Sequence, residues 1–255
     1  MPAATRALGA LLFVCLSAAS LPAVQPELLI SAAASLRAAC ERLESEFEAA
    51  NGIPVLFNFG STGKLAAQIE QGAPVDLLIA ADAATPRRLE SLGLTLPGSL
   101  AVYARGRLAM WWRADSGLDF SGIQDLALPE VRRIAIADPR LAPYGLAAEQ
   151  ALRAAGIWER AQPRLVFAEN VAQALQYAET GNVEAALVAR SLCVEGRGRW
   201  SLVSEQLHEP LDQALVVIRG SQRIPEARRF ESFLLGPVGQ RILQSFGFEV
   251  PGSSP

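Results

Sequence analysis

From position 28 onward, short apolar runs alternate with stretches whose apolar residues recur every three or four positions. That rhythm belongs to strands feeding helices in an α/β fold built on mostly parallel sheets. Residues 28–31 read as a buried strand. The helix after it carries Leu36, Cys40, Leu43 and Phe47 on one face before Asn51 and Gly52 stop it. A strand at 55–59 leads into a helix opened by Thr62, with Leu65 and Ile69 inward and Gly72 as its stop, and 76–80 reads as the next strand. A second series has strands at 108–112 and 133–137, a helix over 146–155, a strand at 165–167, a helix after Asn170 using Ala174, Leu175 and Ala178, and a strand at 184–189. After a strand at 213–218, two helices end the pattern, the first turning Ala227, Phe230 and Leu234 inward and the second Val238, Ile242 and Phe246.

No flexible linker separates the two series, so the expectation is two lobes joined by crossing strands that act as a hinge. Residues 27–100 with 211–250 make one lobe, because the terminal helices need the first sheet to cover. Residues 101–210 make the other, and 251–255 form a polar tail.

Composition narrows the function classes. The 255 residues are 51% apolar, enough for one large core or two modest ones. The net charge of -3 and the scatter of the 23 Lys and Arg argue against a nucleic-acid partner. Residues 1–24 differ in kind: Arg6 precedes an apolar run over 7–16, then small residues, Pro22 and Ala23. This reads as a signal peptide cleaved near Ala23 or Val24, hence export to the periplasm; a membrane anchor is the competing reading, for which the run is short. Cys15 lies in that run without the small residues upstream that lipid attachment wants. Cys40 and Cys193 remain after cleavage, and although an oxidising compartment would let them pair, both read as buried small hydrophobes.

Four places combine a hydroxyl or small residue with the junction between a strand's end and a helix's start: Ser35, Ser61-Thr62, Pro143-Tyr144-Gly145 and Asn170-Val171. Strand ends in open α/β sheets face the ligand crevice, and helix N-termini offer unpaired N–H groups at a positive dipole end. Singly, each reads as an ordinary N-cap; converged, they make an anion site needing no charged side chain.

The segments A-A-A-S-L at 32–36, F-G-S-T-G-K-L at 59–65, Q-I-E-Q-G-A-P-V-D at 68–76, I-A-D-P-R at 136–140, P-Y-G at 143–145, A-E-N-V at 168–171 and F-G-F at 246–248 follow one another in order. In that order and spacing the chain resembles the molybdate-binding proteins of ABC importers. The resemblance implies a two-lobed periplasmic binding fold and no enzymatic activity. It further implies a protein without cofactor that captures molybdate or tungstate and hands it to a membrane permease. Since such a hinge protein needs its cleft free and no long exposed hydrophobic helix is visible, a monomer is expected. The molybdenum would arrive as an oxyanion, with no metal coordinated by side chains. By the motif match, Ser35 and Thr62 give hydroxyl and N–H donors from the first lobe, while Tyr144 and Val171 give main-chain N–H groups from the second. Ser61 is either a further donor or a support for its loop. Many relatives carry a tyrosine donor in a V-Y motif, and Val188-Ala189 stands in its place here. Either the Tyr144 phenol replaces that donor from another direction, or Arg190 approaches the anion, or Arg190 is a surface residue.

Other constellations have plainer readings. Gly60 to Lys64 lacks the spacing and the Ser or Thr of a nucleotide-binding loop. His208 is the one histidine, which leaves no partner for a triad or a multi-histidine metal site. Trp111 and Trp112 could stack a ligand but, lying in a strand, read as core or lobe-surface packing, and Asp76, Asp82 and Asp138 read as turn or capping residues. The alternatives are a binding protein for another oxyanion such as sulfate, a sensor domain on the same fold or, further off, a hydrolase.

Overall fold

The computed structural model describes residues 27–193 and 198–250. The leader, Cys15 and the polar tail therefore lie outside the described residues. Strand β1 (Leu28–Ala33) is buried on both faces, as a central parallel strand must be, and runs through a short 3-10 turn at Ala34–Leu36 into helix α1 (Arg37–Asn51). Gly52 ends α1 in the left-handed conformation (φ 65°), its N–H returning 2.8 Å to the Glu48 carbonyl. Strand β2 (Val55–Gly60), helix α2 (Thr62–Glu70), strand β3 (Leu77–Ile79), helix α3 (Ala84–Ser91) and strand β4 (Ala101–Gly106) follow.

The second series is β5 (Leu108–Arg113), β6 (Ile134–Ala137), α4 (Pro143–Ala154), the single turn α5 (Trp158–Ala161), β7 (Leu165–Ala168), α6 (Val171–Glu179), β8 (Ala185–Ala189) and β9 (Gly198–Leu202). Strand β10 (Leu211–Val217) and helices α7 (Ile224–Leu235) and α8 (Pro237–Ser245) complete the fold.

Two five-stranded sheets result, ordered β2-β1-β3-β10-β4 and β7-β6-β8-β5-β9. Each holds three parallel strands and then an antiparallel one, β10 in the first and β5 in the second. This is the two-lobed α/β architecture the alternation implies. The first crossing lies later than the sequence places it: β4, six residues long, pairs with β10, so the first sheet runs on to Gly106 and the chain changes lobe at Arg107. The signal was weak because β4 ends in Arg105-Gly106 and shows no clean alternation. The return crossing precedes β10, whose middle strand place closes the first sheet.

The cores follow the apolar positions. Phe47 of α1 meets Phe230 and Phe233 of α7 edge-on at 4.9 and 5.4 Å, which fixes the terminal helices on the first sheet. Trp111 and Trp112 are buried in the second core. Helix α8 departs from expectation by turning Gly239, Ile242 and Leu243 inward and leaving Val238 exposed, since Pro237 starts the helix and sets its phase. Cys40 and Cys193 are free and buried, so they do not pair.

Candidate binding site

The C-terminal ends of β1, β2, β6 and β7 deliver their following segments to one cavity between the lobes. Ala33 to Ser35, Gly60 to Thr62 and Ala81 line it from the first lobe, and Ala142 to Tyr144 with Asn170 and Val171 from the second. Ser35, Ser61, Thr62, Tyr144 and Val171 are thereby brought together. The cavity is about 10 Å³, near the least that holds one water, so as the lobes stand it is too small for a larger group.

The polar groups of this lining are donors in search of an acceptor. The hydroxyls of Ser35 and Ser61, at 1% and 3% exposure, have no hydrogen-bond partner. An orphaned buried hydroxyl costs about 1–3 kcal/mol, which an arriving acceptor restores. The Thr62 hydroxyl accepts the Ala81 N–H at 3.0 Å, which leaves its own proton to donate. Helices α2 and α4 have no side-chain cap. The Asn170 carboxamide caps α6 by accepting from the N–H groups of Ala172 and Gln173, at 3.1 and 3.0 Å, and leaves Val171 N–H outside that cap. Three helix N-termini thus meet at one place with their positive dipole ends, although Gly63 N–H of α2 is already taken by the Leu141 carbonyl. No acidic, basic or histidine side chain lines it. Such a lining suits a small anion rich in acceptors, and it holds no nucleophile with a base beside it.

Small residues let these parts converge. A Cβ on Gly145 would stand 2.2 Å from the Ala137 carbonyl oxygen, so only glycine lets the start of α4 lie against the end of β6.

The Tyr144 phenol goes elsewhere. Its oxygen accepts from Gln213 Nε2 at 3.0 Å, Gln213 Oε1 accepts from the Tyr103 hydroxyl at 2.7 Å, and the Ala80 carbonyl lies 3.0 Å from that hydroxyl. A Cβ on Gly106 would stand 2.0 Å from the Tyr144 oxygen. Neither Gln213 nor Gly106 lines the cavity, so the phenol ties α4 to the strands beside the crossing. Burial pushes both phenols' pKa values up and keeps them protonated. Ala189 is buried at the end of β8 and does not line the cavity.

Arg190 also turns away, with its guanidinium 4.5 Å over the Trp200 ring and packed under Gly247. His208 Nδ1 lies 2.7 Å from the Glu209 carbonyl in the segment leading to β10. Asp76 accepts from Leu29 N–H and the Ser221 hydroxyl, and Asp82 from Thr85 N–H and its hydroxyl, with burial raising the Asp82 carboxyl's pKa. Asp138 pairs with Arg140, which lowers its carboxyl's pKa. Asp82 and Asp138 act locally, whereas Asp76, read from the sequence as a turn or capping residue, ties the starts of β1 and β3 to the segment after β10. A roomier groove of about 600 Å³, lined by Glu27, Asp76, Arg219 and Arg223 among others, lies at the opposite end of the first sheet, where β1 and β3 begin.

Contacts that the linear pattern did not announce join the lobes around the cavity. Gly63 N–H donates to the Leu141 carbonyl at 2.8 Å, Lys64 Nζ lies 2.6 Å from Glu169 Oε1, and the Ser191 hydroxyl donates to the Ser35 carbonyl at 2.7 Å. The motif F-G-S-T-G-K-L marked the place of Gly63 and Lys64 but not their partners.

Known proteins resemble the chain in sequence and fold. The chain is 34% identical over 247 residues to the molybdate-binding protein ModA of Azotobacter vinelandii, covering 95% of each chain. It is 31% identical over 231 residues to that of Rhodobacter capsulatus, covering 90% of each. The solved periplasmic molybdate-binding protein of A. vinelandii matches with a TM-score of 0.83 at 31% identity, over 88% of this chain and 100% of that one. The family model of the bacterial extracellular solute-binding proteins matches residues 28–249. In sequence and in fold, the chain belongs to the bacterial extracellular solute-binding protein family.

Proposed function

We propose that the protein captures molybdate, or its close analogue tungstate, and delivers it to an ABC-type permease in the inner membrane, working as a monomer in the periplasm after loss of residues 1–24. The observation that carries this reading is the lining itself: orphaned hydroxyls and uncapped helix starts, with no charged side chain. Ser35 and Thr62 donate from the first lobe, with Ser61 as a further donor. Tyr144 and Val171 donate through main-chain N–H from the second.

Near neutral pH molybdate is a fully deprotonated dianion with acceptor oxygens only, which suits an all-donor lining. Phosphate keeps a proton, which among these groups only a hydroxyl oxygen could accept in place of donating, so it fits this lining less well. Sulfate obeys the same rule as molybdate and differs in size, so it is the second reading; the relatives named for molybdate favour the larger ion.

Calorimetric titration of the mature protein with molybdate, tungstate, sulfate and phosphate tests the proposal. Tight binding of the first two and weak or no binding of phosphate is expected. Preference for sulfate would move the assignment to the second reading, and silence toward all four would end it. Processing of the exported protein near Ala23 or Val24, read by mass spectrometry, tests the location.

A further inference from the structure

The cleft holds together through contacts that are not anion donors. Thr62 supplies a donor, Gly63 reaches the Leu141 carbonyl, and Lys64 reaches Glu169. Across the cleft, Leu141 lies three residues before Tyr144 and Glu169 two before Val171. Every cross-lobe contact of this strip therefore sits within a turn of a donor position, and closing the lobes and assembling the donor set are one motion.

We infer that Gly63 and the Lys64–Glu169 pair form a latch that sets how firmly the cleft stays closed, and hence how slowly the anion leaves. The inference rests on the binding function proposed above. Glycine is not needed at 63 for its conformation, since its φ lies outside the left-handed region. It is needed for approach: a Cβ there would stand 2.9 Å from the Leu141 oxygen and 3.2 Å from the Leu141 Cα, main-chain atoms that cannot rotate aside. An alanine at 63 therefore wedges the lobes apart and strains or breaks the N–H to carbonyl bond beside it.

The ion pair adds less, because its side chains are 48% and 46% exposed and water screens it. Its place is what matters: it spans the cleft mouth, so it forms only when the lobes are shut. Lys64 thus acts on anion binding at one remove, by holding the door and not the cargo.

Gly63→Ala separates this role from a purely structural one. Alanine favours a helix more than glycine does, and 63 is the second residue of α2, so the variant should lose only the contact between the lobes, with each lobe still folded by circular dichroism and a cooperative melt. Its affinity for molybdate should nevertheless fall about ten- to a hundredfold, through faster release. Lys64→Glu and Glu169→Lys should each speed release about two- to fivefold at low salt, the double exchange should restore the parent rate, and the differences should shrink in concentrated salt.

A Gly63→Ala variant that binds like the parent, or a double exchange that restores nothing, would overturn the latch. Energy transfer between dyes on the two lobes, measured without any anion, keeps the two readings apart. If the parent binds none of the four oxyanions the proposed function falls, and the latch is still judged by whether Gly63→Ala and Lys64→Glu lengthen the interlobe distance; an unchanged distance sinks it.

Discussion

The two lobes face the same cavity with different chemistry. The first presents side-chain hydroxyls, Ser35, Ser61 and Thr62, two of them orphaned and one buttressed by Ala81. The second presents main chain, the starts of α4 and α6, with Asn170 capping α6 in a way that leaves its first N–H outside the cap. A hydroxyl donor disappears with one substitution. A main-chain donor survives almost any, and is removed only by proline. The first lobe's half of the site is therefore written in residue types and the second lobe's in backbone positions.

Breaking the first half should give the largest effect. Thr62→Ala removes a hydroxyl that would meet a charged acceptor and also strips Ala81 N–H of its partner. The loss should be about 1.5–3 kcal/mol, or roughly ten- to a hundredfold in molybdate affinity by calorimetry. Ser35→Ala should fall at the lower end of that span, because nothing else depends on its hydroxyl.

The comparison sharpens at Val171. It is the first residue of α6, where proline is tolerated, and Asn170 before it is extended (φ -149°, ψ 173°) as a residue preceding proline must be. Val171→Pro deletes the N–H and little else, so affinity should drop about tenfold with the fold intact, whereas Val171→Ile should bind like the parent. Equal binding by the proline variant would remove this main-chain donor from the site.

Tyr144→Phe should separate stability from binding. It leaves Gln213 Nε2 without its acceptor, at about 1–3 kcal/mol, which lowers the melting temperature by several degrees. Molybdate affinity should change little, because the phenol faces the crossing strands. A large loss of affinity without loss of stability would return the phenol to the cavity as a stand-in for the tyrosine absent at Ala189.

The smallest effect concerns the thiols. Burial pushes Cys193 up to about 12 and raises Cys40 as well. Between about 8.5, the ordinary thiol value, and 12 the unfolded chain sheds protons that the folded chain keeps. Stability should then decline modestly as pH rises through that window and be untouched by these groups below it. Denaturant titrations from pH 7 to 11 read this, and neither thiol should react with a thiol reagent before unfolding.

The α/β alternation made most strands and helices legible, since the apolar faces of α1, α6 and α7 repeat at helical spacing and are the faces that pack. Helix α3 escaped because it buries only Pro86 and Leu89. Strand β9 escaped because it is an edge strand whose Trp200 and Leu202 are exposed. Helix α4 begins at Pro143, three residues before its apolar rhythm shows, because proline at the first position starts it. At the cavity, the hydroxyls were legible as residue types and the helix starts as places after strands. The cross-lobe partners Leu141, Glu169 and Ser191 were not, because contact between segments far apart in the chain is a property of closure that no local pattern encodes.

The place of β10 has a consequence for how the molecule is made. All strands of the second sheet come from one uninterrupted stretch, whereas the first sheet needs β10 between β3 and β4, and α1 needs α7 against Phe47. A chain growing from its amino end completes the later-numbered lobe while the earlier one still waits, open along the β3 edge, for the last strand and helices to arrive. Loop closure over so long a separation is slow. The final quarter of the polypeptide is thus the keystone of its first quarter, and a nascent or truncated chain lacking it exposes the buried face of β3 and the aromatic patch around Phe47.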